Sequence, residues 1–157
     1  MGLPSSPFTN TAVRPGTEPA LAICRGVRRA LLDRGYATLA EFTLASGRRA
    51  DILAINDSGE IIIVEVKSGV PDFRSDGKWH EYLEWCDAFY FAVDADFPQE
   101  LIPEECGLMV ADGYGAEVLR ESPVAKLNPA RRKALTLRVA LTAGQRLHRI
   151  EDPSRGR

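Results

Sequence analysis

The chain is short of the residues that most metal–sulfur, disulfide-bonded and membrane proteins require. Its three cysteines, Cys24, Cys86 and Cys106, lie far apart with no Cys-x-x-Cys spacing. That excludes a zinc ribbon or a disulfide framework and points to a reducing compartment, with the thiols as small buried hydrophobes. Two histidines, His80 and His148, are too few for a His-rich metal site. No apolar run approaches the ~18 residues of a membrane helix, and no charged-then-apolar leader opens the chain. A soluble, cytoplasmic protein without a membrane partner is expected. A surplus of either charge is also missing, since the net charge is −2 over 157 residues. That figure hides a division. Residues 126–157 hold nine Lys or Arg against only Glu151 and Asp152, and the rest of the chain is acidic. The small net charge therefore does not count against a nucleic-acid partner.

What is present reads as one α/β domain, a size at which a chain buries roughly two-thirds of its unfolded surface. Residues 1–16, with Pro4, Pro7, Pro15 and Gly16, read as a flexible arm. Thr17 can cap a helix running to about Arg34, whose apolar positions Ala20, Ile23, Cys24, Val27, Ala30 and Leu31 recur at three and four. Strand-like runs follow at 36–44, 49–55 and 60–67, then a loop over 69–77. A short aromatic helix over 78–86 comes next, with Trp79, Tyr82, Leu83 and Cys86 on its core face and Trp85 off it. Strands at 88–93, 108–111 and 116–120 lead to a helix that Asn128–Pro129 opens and that ends near Ala143. Ala130, Ala134, Leu137 and Leu141 form its expected core stripe. The domain spans 17–147, with a basic, frayed tail over 148–157. The order helix, three-strand meander, helix, strand implies a mixed central sheet flanked by helices.

The chemistry concentrates in Ile61–Lys67, an apolar run of the kind that forms a strand buried on both faces, with Glu65 and Lys67 inside it. Two residues apart on a strand, they project from one face. Asn56-Asp57-Ser58-Gly59 suits a three-residue hairpin turn with Gly59 left-handed. That turn pairs Asn56 with Glu60, Ile55 with Ile61, Leu53 with Ile63 and Asp51 with Glu65, and it sets Arg49 across from Lys67. A two-residue turn would slip the register by one and send Asp51 to the opposite face. In the first register the Asp51 and Glu65 Cβ atoms lie about 5 Å apart. Adjacent carboxylates repel, and a hard divalent cation removes the conflict. Asp51, Glu65 and the Val66 backbone carbonyl form an oxygen set suited to Mg²⁺ or Mn²⁺, as one ion or two. Lys67 can deprotonate the attacking water or stabilise charge on an attacked phosphate. The bland alternative is a surface hairpin with a cross-strand ion pair.

Arg49-Ala50-Asp51, thirteen intervening residues and Glu65-Val66-Lys67, between two helices, resemble the PD-(D/E)XK nuclease superfamily. The Gly47–Asp51 and Val64–Ser68 blocks resemble, within that superfamily, the bacterial MmcB-like DNA-repair family. So does the stretch from Asp72-Phe73-Arg74 through KWHEYLEWCDAFYFAV to Phe97-Pro98, and the likeness extends over about residues 17–125. It implies a restriction-endonuclease-like fold, a DNA-repair association, DNA and repair proteins as partners, and a nucleoid location if DNA is bound. It also implies that Glu18, at the start of the first helix, can join the metal shell; the alternative is an acid favoured by the helix dipole. Arg48, Arg49, Arg74, Lys78, Arg131 and Arg138 are candidates for phosphate contact, or else solvated surface. Asp72 and Asp76 follow the site closely enough to support it, or are loop residues. The functional expectation is a Mg-dependent DNA nuclease; the alternative is an inactive DNA-binding or partner-recruiting module of the same fold.

Overall fold

The computed structural model describes residues 18–154; the expected arm, the Thr17 cap and residues 155–157 lie outside it. Helix α1 (Glu18–Asp33) leads into strands β1 (Ala37–Thr43), β2 (Arg49–Ile55) and β3 (Ile61–Val66). After these come a short helix α2 (Val70–Ser75), a 3-10 helix (Trp79–Trp85) and β4 (Ala88–Val93). A 3-10 turn (Gln99–Leu101), β5 (Gly107–Ala111), β6 (Ala116–Arg120) and helix α3 (Pro129–Glu151) complete the fold. The strands form one sheet in sequence order. β1, β2 and β3 are an antiparallel meander, β3, β4 and β5 are parallel, and β6 returns antiparallel. The expected mixed sheet between helices is present.

Two turns of one design set the meander. Gly47 and Gly59 occupy the left-handed region at φ 90° and 81°. Each donates its N–H back to the residue three before it, Leu44 and Asn56 respectively. The second turn gives the expected register, with Ile55 opposite Ile61 and Leu53 opposite Ile63. α1 covers one face of the sheet with Ile23, Val27 and Leu31 against Ile52, Val64, Tyr90 and Met109. Gly26 lets it approach the β5–β6 turn, because a Cβ there would lie 1.9 Å from the Asp112 carbonyl oxygen. The other face packs Leu53, Ile63, Phe89 and Phe91 under Trp79, Tyr82 and Leu135.

Expectations for three elements are corrected. Residues 70–75 of the expected loop are helical, with Pro71 in the first turn where its missing N–H costs nothing. The aromatic helix is 3-10, with three residues per turn. Trp79, Tyr82 and Trp85 therefore share the core side, and Leu83 is 43% exposed. α3 runs to Glu151 rather than to Ala143, so the start of the expected frayed tail is helical. It is also turned about its axis. Leu135, Val139 and Thr142 face inward, whereas Ala130, Ala134, Leu137 and Leu141 are exposed. The reason lies in its arginines. Arg138 donates to the Thr43 carbonyl (2.7 Å), and Arg146 to those of Ala40 (2.7 Å) and Glu41 (2.9 Å). These contacts cap the otherwise open edge of β1.

Candidate functional site

The β2–β3 ladder stops at the pair Ile52–Val64. One step further, side chains take over from the backbone. The Val66 N–H donates to Asp51 Oδ2 (2.9 Å), and the Asp51 N–H donates to Glu65 Oε1 (3.0 Å). Each carboxylate thus replaces a ladder carbonyl, which brings Asp51 and Glu65 together as the register required. Glu65 is only 4% exposed. Burial first, and then the Asp51 charge, hold its carboxyl well above the usual range. Burial also raises Asp51, against the pull of the Val66 N–H. A buried acid pair in which the charged form is disfavoured for both members is a common signature of a functional site.

Lys67, 6% exposed, extends β3 by donating its N–H to the Ala92 carbonyl. Its ammonium meets Asp76 Oδ2 at 2.8 Å and Asp72 Oδ1 at 4.0 Å. Burial works against its charge, but Asp76, Asp72 and Glu65 together hold its pKa above the ordinary lysine value. Asp76 is lowered despite burial, through the hydrogen bonds from Lys67 and the Lys78 N–H. The helix over 70–75 and the residue that follows it, Asp76, thus present two acids to Lys67. The expected Arg49–Lys67 neighbourhood does not form, because the ladder has already ended. Arg49 pairs with Thr43 on β1 and lies 4.0 Å from Glu41.

The other expected residues are distributed around this point. Arg48 is ion-paired with Glu81 and sits over the Tyr82 ring (5.3 Å), whose hydroxyl donates to the Arg49 carbonyl (2.9 Å). Arg74 and Lys78 are exposed on and just after α2. Arg131 covers Trp85 at 4.3 Å and donates to the Glu84 carbonyl, while Arg138 holds β1. Glu18 is exposed at the start of α1. Among the described residues no three His, Cys, Asp or Glu side chains gather into a ligand set. What the site offers a metal is therefore two carboxylates and the Val66 carbonyl. A hard ion such as Mg²⁺ accepts such a set, since it commonly keeps several waters.

Glu41 escaped the sequence reading. The ladder places Ala40 opposite Ile52 and Phe42 opposite Ala50, so Glu41 stands across from Asp51. It has φ 49°, the one non-glycine residue in the left-handed region among those described, a strain that tends to collect at working sites. The signal was available. Leu44-Ala45-Ser46-Gly47-Arg48 repeats the spacing of Asn56-Asp57-Ser58-Gly59-Glu60, and the same turn rule pairs Glu41 with Asp51.

Comparison with known proteins adds two findings. A family model described as "DNA repair protein MmcB-like" matches residues 9–154. A solved structure of a protein of unknown function from Silicibacter pomeroyi superimposes with a TM-score of 0.85 at 45% identity, covering 88% of this chain and 94% of that one. No curated protein matches. Among the described residues, no helix is long and apolar enough to cross a membrane.

Proposed function

The chain belongs to the MmcB-like DNA repair protein family, and from that premise we propose that it is a divalent-metal-dependent nuclease acting on DNA. The observation that carries this reading is the reciprocal Asp51–Glu65 pair at the end of a buried strand, with a charged lysine two residues on. Mg²⁺ or Mn²⁺ held by Asp51, Glu65 and the Val66 carbonyl would neutralise the pair and draw negative charge off a phosphodiester. Lys67, kept protonated by Asp76 and Asp72, acts as a fixed positive charge on the phosphate rather than as a base. Arg48 and Arg49 at the start of β2, with Arg74 and Lys78 on the adjoining segment, frame the approach of a phosphate backbone.

A second reading is an inactive module of the same fold that binds DNA or a repair partner. It draws on the same lysine, because an ammonium already held by two aspartates has less to give a phosphate. One experiment separates the two. Calorimetric titration of Mn²⁺ should show binding to the native chain and none to Asp51→Asn. Incubation with single-stranded, nicked or branched DNA should then give metal-dependent cleavage, which falls about a hundredfold or more in Lys67→Met. Absence of Mn²⁺ binding overturns the nuclease reading. Metal binding with salt-sensitive DNA binding but no cleavage of any substrate assigns the module.

A further inference from the structure

Helix α3 turns outward a face that carries formal charge only at its two ends. Between Lys133 and Glu151 its exposed residues are alanine, threonine, leucine, glycine, histidine and isoleucine, because the arginines along this stretch lie on the inner side. Leu137 and Leu147 are 57% and 53% exposed, and Leu141 and Ile150 beside them 52% and 76%. A soluble domain seldom leaves so continuous an apolar strip uncovered unless something binds it.

The centre of the strip has a strict spacing of four and three: Lys133, Leu137, Ala140, Gly144, Leu147, Glu151. That is the spacing of a two-helix coiled-coil seam. Its order is the same from either end: a charge, a leucine, a small residue, a small residue, a leucine, a charge. The end charges have opposite sign. When two copies of α3 run antiparallel, Lys133 meets Glu151 of the partner subunit and Leu137 meets Leu147 of the partner subunit. At the middle, Ala140 meets Gly144 of the partner subunit, and small residues there allow the backbones to come close. Gly144 has open space on this side, with no atom within 4 Å of where its Cβ would stand. Leu141, one position off the seam and next to the axis, meets its own counterpart. Each contact recurs with the copies exchanged, as a two-fold interface demands. A parallel pair would instead set lysine on lysine and glutamate on glutamate.

We propose that the protein forms an antiparallel homodimer through this face of α3. Charge complementarity selects a second copy over an acidic helix or an anionic surface, since the strip ends on one charge of each sign. A single helix seam about 28 Å long lies at the small end of specific interfaces, so the dimer is expected to dissociate on dilution in the micromolar range.

Sedimentation equilibrium of the full chain tests this. The average mass should climb from 17.3 kDa toward twice that value as concentration rises, and Leu137→Glu should remain monomeric. Lys133→Glu and Glu151→Lys should each weaken association about tenfold, and the double reversal should restore it to within about twofold. All of these side chains are exposed, so thermal unfolding of the dilute variants should match the native chain. A native chain monomeric at several hundred micromolar, or a double reversal no better than the singles, overturns the proposal. Neither result bears on the nuclease reading, which does not involve α3.

Discussion

At the start of β3 the Asp87 carboxylate receives the N–H groups of Ile61 (2.7 Å) and Leu127 (2.9 Å) and both arms of Arg132 (2.5 and 2.7 Å). At the other end of the strand, Asp51 and Glu65 receive one backbone N–H apiece and lie against each other. Burial works against the charged form in both places. At Asp87 the guanidinium and the two N–H groups outweigh it and bring the carboxyl down to about 2. At Glu65 no cation among the described residues forms an ion pair with the carboxylate, and burial with the Asp51 charge outweighs the pull of Lys67 and takes its pKa up. The strand is thus anchored where its charge is answered, and carries an uncompensated acid pair where it is not. A carboxylate pair short of positive charge is what a cation would complete. The anchor joins β3, β4, the segment before α3 and α3 itself.

The contrast breaks most visibly at the anchor. Asp87→Ala leaves two buried N–H groups and Arg132 without their acceptor, and should destabilise the fold by about 3–5 kcal/mol. Urea unfolding measures it. A loss below about 1 kcal/mol would mean that the network is ornamental and the comparison empty.

Acid should reach the same anchor more gently. Because the folded pKa of Asp87 is depressed, its contribution is fully present above the ordinary aspartate value near 4. It disappears as pH falls through about 2. The native chain should therefore lose about 2 kcal/mol over that window beyond what Asp87→Asn loses. Stability curves of the two proteins that run parallel from pH 4 to 2 would contradict this.

The sequence made one end of β3 legible and hid the other. Gly59 fixes the hairpin turn locally, so the pairing of Asp51 with Glu65 could be counted from the turn. Asp87 answers Arg132 across a distance along the chain that no local rule spans, and it reads as an ordinary residue before a strand. α3 misled for a related reason. Its stripe of Ala130, Ala134, Leu137 and Leu141 suggests a core face because burial usually follows hydrophobicity, yet this helix docks through arginines onto edge carbonyls. The helix over 70–75 was obscured by Pro71 and Gly77, which signal a loop, although proline at a first turn does not break a helix. The meander was easier, since short connections join its three strands.

The smallest expected effect has the opposite sign to the others. In Glu65→Gln the amide oxygen can still accept the Asp51 N–H and its NH₂ can donate to Asp51, so the variant resembles the protonated pair. The native Glu65 has a raised folded pKa, which adds no penalty below the ordinary glutamate value near 4.5 and an increasing one as pH rises above it. Glu65→Gln should therefore match the native chain at pH 4 and be more stable by about 1 kcal/mol at pH 7, a familiar trade of function for stability. Millimolar Mn²⁺ should narrow the gap by stabilising only the native protein. A variant less stable than native at pH 7 without metal would mean that the ionised pair is already answered within the fold. The two ends of β3 would then be alike, and the reason to place a cation at one of them would be gone.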